Sequence, residues 1–169
     1  MQKMAVLRIC VLPDPVLRQK AKRVTTIDTS IQKLIDDMVE TMRAASGVGL
    51  AAPQIGMPLR IAVIEMPGEE VTTLINPEVV KREGERVVKE ACLSVPGYEG
   101  EIKRSVRIKV KARDKQGKEF RIGGDELLAQ ALEHEIDHLN GTLYIDHVES
   151  PDKLERIVPP PDDAHTQMG

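Results

Sequence analysis

His134-Glu135-Ile136-Asp137-His138 places two imidazoles one helical turn apart with a carboxylate between them. A helix turns about 100° per residue, so side chains four positions apart project to the same side. Both rings can then reach one metal ion while Glu135 stays free to carry protons, an arrangement suited to metal-dependent hydrolysis. Chance is the competing reading, and a chain with only four His seldom produces this spacing by accident.

A third ligand has to come from elsewhere. One protease pattern continues as HExxHxxGxxH; here Gly141 is in place, but Tyr144 stands where the third His belongs. Another pattern uses a downstream Glu, and Glu155 is near that distance, but Pro151 interrupts the segment leading to it. Cys92, within Glu90-Ala-Cys-Leu-Ser94, is the better candidate, since thiolate binds borderline and soft divalent ions strongly. Its alternative is a buried free cysteine packed as a small hydrophobe, the reading kept for Cys10, which lies in an apolar run. One sulfur and two nitrogens leave a fourth position for water, the open catalytic type of site. The metal acidifies that water, and Glu135 takes its proton.

The elements that must position these residues are readable from periodicity and turn chemistry. Residues 5–11 form a short apolar run, an edge strand or extended lead-in, halted at Pro13-Asp14-Pro15. Asp28 or Thr29 caps a helix to about Ala45, with Ile31, Leu34, Ile35, Met38, Val39 and Met42 at core-facing spacing. A glycine-rich stretch follows at 47–56, then strand-like segments at 59–65, 71–75 and 85–89. The clearest strand is 104–113, where Val106, Ile108, Val110 and Ala112 alternate with polar residues. A turn at 114–117 returns the chain to a strand at 119–122. The basic outer face of this hairpin reads as a solvated strand face, with contact to ribosomal RNA as the alternative.

Asp125 then caps the metal helix, 126–139, which Asn140-Gly141 terminates. On a helical wheel, Leu127, Ala131, His134 and His138 share one stripe, and Leu128, Leu132, Ile136 and Leu139 form a second that packs on the sheet. Glu126, Ala129, Gln130, Glu133, Asp137 and Asn140 fall on the remaining face, expected toward solvent. Leu127 and Ala131 either border a small apolar pocket beside the metal or are simply more core.

Composition excludes several function classes. With 30% charged residues and a net charge of −3, nothing global points to nucleic acid or a membrane. No stretch is apolar for eighteen residues, and Arg8 and two prolines come too early for a signal peptide, so a cytoplasmic location is expected. Two cysteines make no disulfide framework, and one Phe, two Tyr and no Trp make no base-stacking surface. The tail from Pro151 is polar, with three consecutive prolines, and is expected to be disordered.

Three blocks, Gly-Val-Gly-Leu-Ala-Ala-Pro-Gln at 47–54, Glu-Ala-Cys-Leu-Ser at 90–94 and Glu-His-Glu-Ile-Asp-His at 133–138, together resemble the signature motifs of the peptide deformylase family. The likeness runs from about residue 10 to 150 and includes Leu-Pro-Asp-Pro-Val-Leu-Arg at 12–18 and Asn-Pro at 76–77. It implies removal of the formyl group from the N-terminal formyl-methionine of new proteins. It further implies that Cys92, His134 and His138 hold a divalent metal, often iron(II), with zinc or nickel able to replace it and cobalt suited to the same donors. Glu135 would act as general base and then acid, and Gln54 and the backbone N–H of Leu93 would stabilise the oxyanion. Val48, Leu127, Ala131 and the edge of His134 would line the methionine pocket. Gly47 and Gly49 would lie along the extended peptide, and Arg104 near its path. Two positions depart from the family pattern. Ala91 stands where Gly is usual, and the tail lacks the long basic helix with which some bacterial members dock at the ribosome.

The expected architecture is α+β, with mainly antiparallel sheets around a central metal-bearing helix and a second helix packed outside. Residues 1–150 form the catalytic domain and 151–169 the tail. The expected partners are N-formyl-methionyl nascent peptides near the ribosome, without direct contact to nucleic acid or membrane. Two other readings stay open: a metallopeptidase with its third ligand downstream of His138, and a non-catalytic module that grips formylated chains.

Overall fold

The computed structural model describes residues 5–157. Helix α1 spans Thr29–Ala44 and helix α2 Glu126–Leu139. Between them run β1 (Gly49–Ala51), β2 (Ile61–Ile64), β3 (Thr72–Glu83), β4 (Arg86–Cys92), β5 (Val95–Arg104), β6 (Arg107–Arg113) and β7 (Glu119–Asp125). A short β8 (Glu155–Arg156) follows α2. The strands make a five-stranded sheet, in the order β1-β2-β3-β6-β7, and a three-stranded one, β4-β5-β8; the pairs within both are antiparallel. This is the expected α+β arrangement, with α2 at the centre and α1 outside.

Alternation along the strands explains how the larger sheet serves both helices. Successive strand residues point to opposite faces. Ala51, Ala62, Ile64 and Leu74 pack with Ala129, Ala131, Leu132, Ile136 and Leu139 of α2. Leu50, Ile61, Val63 and Ile75 face the other way, onto Ile35, Met38 and Met42 of α1. A strand covered on both faces carries no polar residue, which is why Ile-Ala-Val-Ile of β2 is buried throughout. A third cluster, Val88, Cys92, Ile102 and Tyr144, lies under the smaller sheet.

Helix α1 begins as the sequence indicates. Asp28 is its N-cap and accepts a hydrogen bond from the Ile31 N–H. Asp125 occupies the N-cap position of α2, but its side chain makes no capping bond. At the other end, Gly141 has φ +78°, and a Cβ there would lie 2.7 Å from the Arg18 carbonyl oxygen. Only glycine fits this turn.

Three expectations are corrected and one choice between alternatives is decided. Of the two readings of residues 5–11, the lead-in holds and the edge strand does not, because their backbone groups find other partners: Ala5 N–H donates to Asp37, Leu7 N–H to Thr41, and Cys10 N–H to the Gln54 carbonyl. The expected strand 104–113 is two elements. Arg104 ends β5, and the break comes where the N–H and hydroxyl of Ser105 bond to Glu133 of α2. Val106 is turned outward there, while Ile108, Val110 and Ala112 are buried as expected. Third, α2 has no broad solvent face. Ala129, Gln130 and Glu133 are buried, because strands of both sheets and the segment joining them cover this side: Gln130 donates to the Lys89 carbonyl of β4, and Glu133 accepts from Ser105 and from Arg82 of β3. Last, the start of the tail is folded, with a 3-10 turn at Pro151–Lys153 and β8 paired to Tyr98 and Glu99 of β5. The expectation for the tail beyond residue 157 lies outside the described residues.

Leu132 is fully buried between α2 and the sheet. Leu132→Ala should cost about 2–5 kcal/mol, read as a lower urea midpoint. Leu127→Ala, at a residue 40% exposed, should change stability by no more than about 0.5 kcal/mol in the same measurement.

Candidate metal centre

His134, Glu135 and His138 are all buried on α2. Cys92 reaches them from the end of β4, where the pairing with β5 slips between Glu90 and Cys92. Alternation along β4 puts Cys92 on the same buried face as Val88 and Glu90. Cys92 Sγ lies 3.3 Å from His138 Nε2, and the three candidate ligand atoms lie within 4.8 Å of one another. Neither downstream alternative contributes a ligand atom. Tyr144 stacks beside His134 with ring centroids 6.4 Å apart, and Glu155 is an exposed partner of Lys89.

A hydrogen-bonded row fixes the orientation of the His134 ring. Its Nδ1–H donates to Glu90 Oε1 at 2.5 Å. Glu90 also accepts two bonds from Arg104, Nε–H and Nη2–H, both at 2.8 Å. Burial opposes ionisation of Glu90, but the bonds from Arg104 and His134 outweigh it and bring its pKa down to about 2. An ionised Glu90 accepts only, so the imidazole proton sits on Nδ1 and the Nε2 lone pair is free. That Nε2 is buried with no hydrogen-bond partner. His138 is kept neutral first by burial and then by its neighbour His134.

These groups fit a divalent cation. Two imidazoles and a thiol converge, and burial together with the charges of Glu135 and Glu90 pushes the Cys92 thiol up, so its thiolate calls for positive charge nearby. Both Glu135 oxygens are buried without a partner. Burial, followed by the charge on Glu90, raises the Glu135 carboxyl well above its usual range. The carboxylate lies over Gly49, where an added Cβ would come within 2.4 Å of Oε2. Glycine at position 49 thus leaves the space that Glu135 occupies.

Gln54 is oriented by its neighbours. Its Oε1 accepts from the Ala51 N–H at 3.0 Å, so its NH2 group faces Ser94 Oγ, at 3.1 Å, and Cys92 Sγ, at 3.8 Å. Ser94 in turn donates to the Cys10 carbonyl, giving Cys10 a structural place. Leu93 is half-buried against the α1 side of the core. Val48 and Ala131 are buried in the α2 core, while Leu127 is on the surface. Ala91 is only partly buried, between the buried Glu90 and Cys92.

Arg104 was expected along a peptide's path. It is only 4% exposed, and its third nitrogen, Nη1, donates to Asp137 at 2.7 Å. Its donors serve the two carboxylates beside the ligands. Sequence reasoning missed this role and those of Glu90, Asp137 and Ser94. Glu90 had one available signal, a carboxylate two residues from a candidate cysteine ligand.

Comparison with known proteins places this geometry in context. The profile of the family described as polypeptide deformylase matches residues 6–154. A peptide deformylase from Dehalococcoides mccartyi is 58% identical over 157 residues, covering 92% of this chain and 94% of the relative. The crystal structure of a peptide deformylase from Legionella pneumophila superposes with a TM-score of 0.86 at 50% identity, covering 88% of this chain and 89% of that one. A Synechococcus elongatus peptide deformylase in complex with actinonin gives a TM-score of 0.84 at 38% identity, over 90% and 86% of the two chains.

Glu90→Gln removes the charge that holds the His134 ring. Zinc affinity, measured by competition with a chromogenic chelator, should fall by about ten- to a hundredfold.

Proposed function

The chain belongs to the polypeptide deformylase family, and from that membership we propose which of its residues perform the reaction. The enzyme is a metal-dependent hydrolase that removes the formyl group from N-formyl-methionyl nascent peptides. Cys92, His134 and His138 are the proposed metal ligands, and iron(II) is the proposed resident ion, with zinc, nickel and cobalt suited to the same donors. When bound, such an ion supplies Lewis acidity toward water and the formyl carbonyl.

Glu135 is the proposed proton carrier. Its carboxylate takes a proton from the attacking water and delivers it to the departing amide nitrogen as the C–N bond breaks, leaving formate and a free amino terminus. Burial of both oxygens without a competing donor supports this role. The oxyanion that develops on the formyl group accepts hydrogen bonds from the Gln54 amide and the Leu93 N–H, each worth a few kcal/mol when well placed. The bond between Gln54 Oε1 and Ala51 supports the assignment, since it aims the donor end toward Cys92.

The methionine side chain is proposed to lie against Val48, Ala131, Leu127 and the edge of His134. Leu127, the exposed member, would form the rim. Strand β1 is at the edge of the larger sheet, so Gly47–Gly49 can pair with an extended peptide as an added strand. No helix among the described residues is long and apolar enough to cross a membrane. A cytoplasmic site of action near the ribosome is proposed. Residues 1–150 are the proposed catalytic domain, with the segment beyond it as a tail.

The observation that carries this reading is an unpartnered buried carboxylate beside a converging Cys/His/His set. Metal-loaded protein, assayed without oxygen, should cleave formyl-Met-Ala-Ser and leave its acetylated twin intact. Glu135→Gln should retain the ion and lower kcat by about a hundred- to ten-thousandfold. Equal cleavage of both peptides, or of neither, would overturn the substrate assignment; an unimpaired variant would overturn the role of Glu135.

A further inference from the structure

The row behind His134 does not end at Arg104. Asp137 Oδ2, which accepts from Arg104 Nη1 at 2.7 Å, also accepts from His147 Nε2 at 2.9 Å. His147 lies at the end of the 3-10 turn Tyr144–His147 and is 39% exposed. A continuous path therefore leads from the surface through Asp137, Arg104 and Glu90 to the Nδ1 of His134.

Charge makes His147 more than a bystander. Arg104 is one buried cation facing two carboxylates, so the row carries an uncompensated negative charge when His147 is neutral. Uncompensated charge in a poorly solvated place is costly, and here it weighs on the carboxylate that shares Arg104 with Glu90. An imidazolium at position 147 brings the row to neutrality. It draws Asp137 toward the surface and leaves two Arg104 nitrogens committed to Glu90. The geometry points to His147 as a positioning residue of the metal centre, whose positive charge holds the Asp137–Arg104–Glu90 row in place behind His134.

The surroundings favour that charge. Facing His147 are Asp137 of α2, Arg104 of β5 and Glu90 of β4. The adjoining cleft carries Glu85, Glu101, Lys103, Glu149, Lys153 and Glu155, an acidic balance. The hydrogen bond to Asp137 raises the imidazole above its ordinary value, against burial and the charge of Arg104. The sign follows from linkage. A raised pKa in the folded protein gives support that is complete below the ordinary histidine value of about 6.5 and is lost as pH rises through the folded-state value. Retention of the ion should weaken over that same interval.

This inference rests on the proposed ligand set. Its test is zinc release from the loaded protein to a chromogenic chelator across pH 6 to 9, for wild type, His147→Gln and His147→Arg. A parallel NMR titration follows His147 in the wild type. Wild type should release zinc about three- to tenfold faster above the His147 inflection than below it. His147→Gln should show the fast rate throughout, and His147→Arg, always charged, the slow rate throughout. Equal rates in all three proteins, one inflection shared by all, or a His147 titrating at or below its ordinary value would overturn the inference. A wild-type protein that binds no zinc would instead overturn the ligand set, so the two failures are distinguishable.

Discussion

The hydrogen bond from His134 Nδ1 to Glu90, at 2.5 Å, joins the central helix to the smaller sheet and sets the chemistry of both. It fixes the imidazole tautomer, turns the free nitrogen toward Cys92 and His138, and requires a buried countercharge, which Arg104 provides. A buried carboxylate stripped of its partner would cost several kcal/mol. The small sheet is thereby held in one register against α2, and Cys92, two residues beyond Glu90, is delivered to the same place.

Glu135 poses the opposite problem. It is fully buried, no donor satisfies either oxygen, and the neighbouring Glu90 adds repulsion. Such a group is a standing cost to the fold. In the proposed loaded state a dication offsets the Cys92 thiolate and the Glu135 carboxylate, while Arg104 and His147 offset Glu90 and Asp137. The buried charges then balance in two adjoining sets, one that reacts and one that holds. Gly49 is part of that design, since a methyl group there would collide with the carboxylate it faces.

Much of this was legible in the residues. The His pair, the extent of both helices, the Asp28 cap and the Cys92 candidate follow from local spacing and residue chemistry, which tertiary packing did not override. What was not legible depends on contacts between distant segments. Glu133 and Asp137 sit where a wheel diagram predicts solvent, because amphipathic reasoning assumes one covered face, whereas α2 is covered by two sheets. Arg104 looks like a solvated strand end until Glu90 and Asp137 are brought beside it. The break at Ser105 is likewise set by Glu133, far along the chain, and no alternation in 104–113 encodes it.

The central claim is that one ion is held by one sulfur and two imidazole nitrogens. X-ray absorption at the zinc edge of the loaded protein tests it most directly. The account predicts one sulfur at about 2.3 Å with two nitrogens at about 2.0–2.1 Å, and loss of the sulfur shell in Cys92→Ala. A wild-type spectrum fitted by nitrogen and oxygen alone would contradict it.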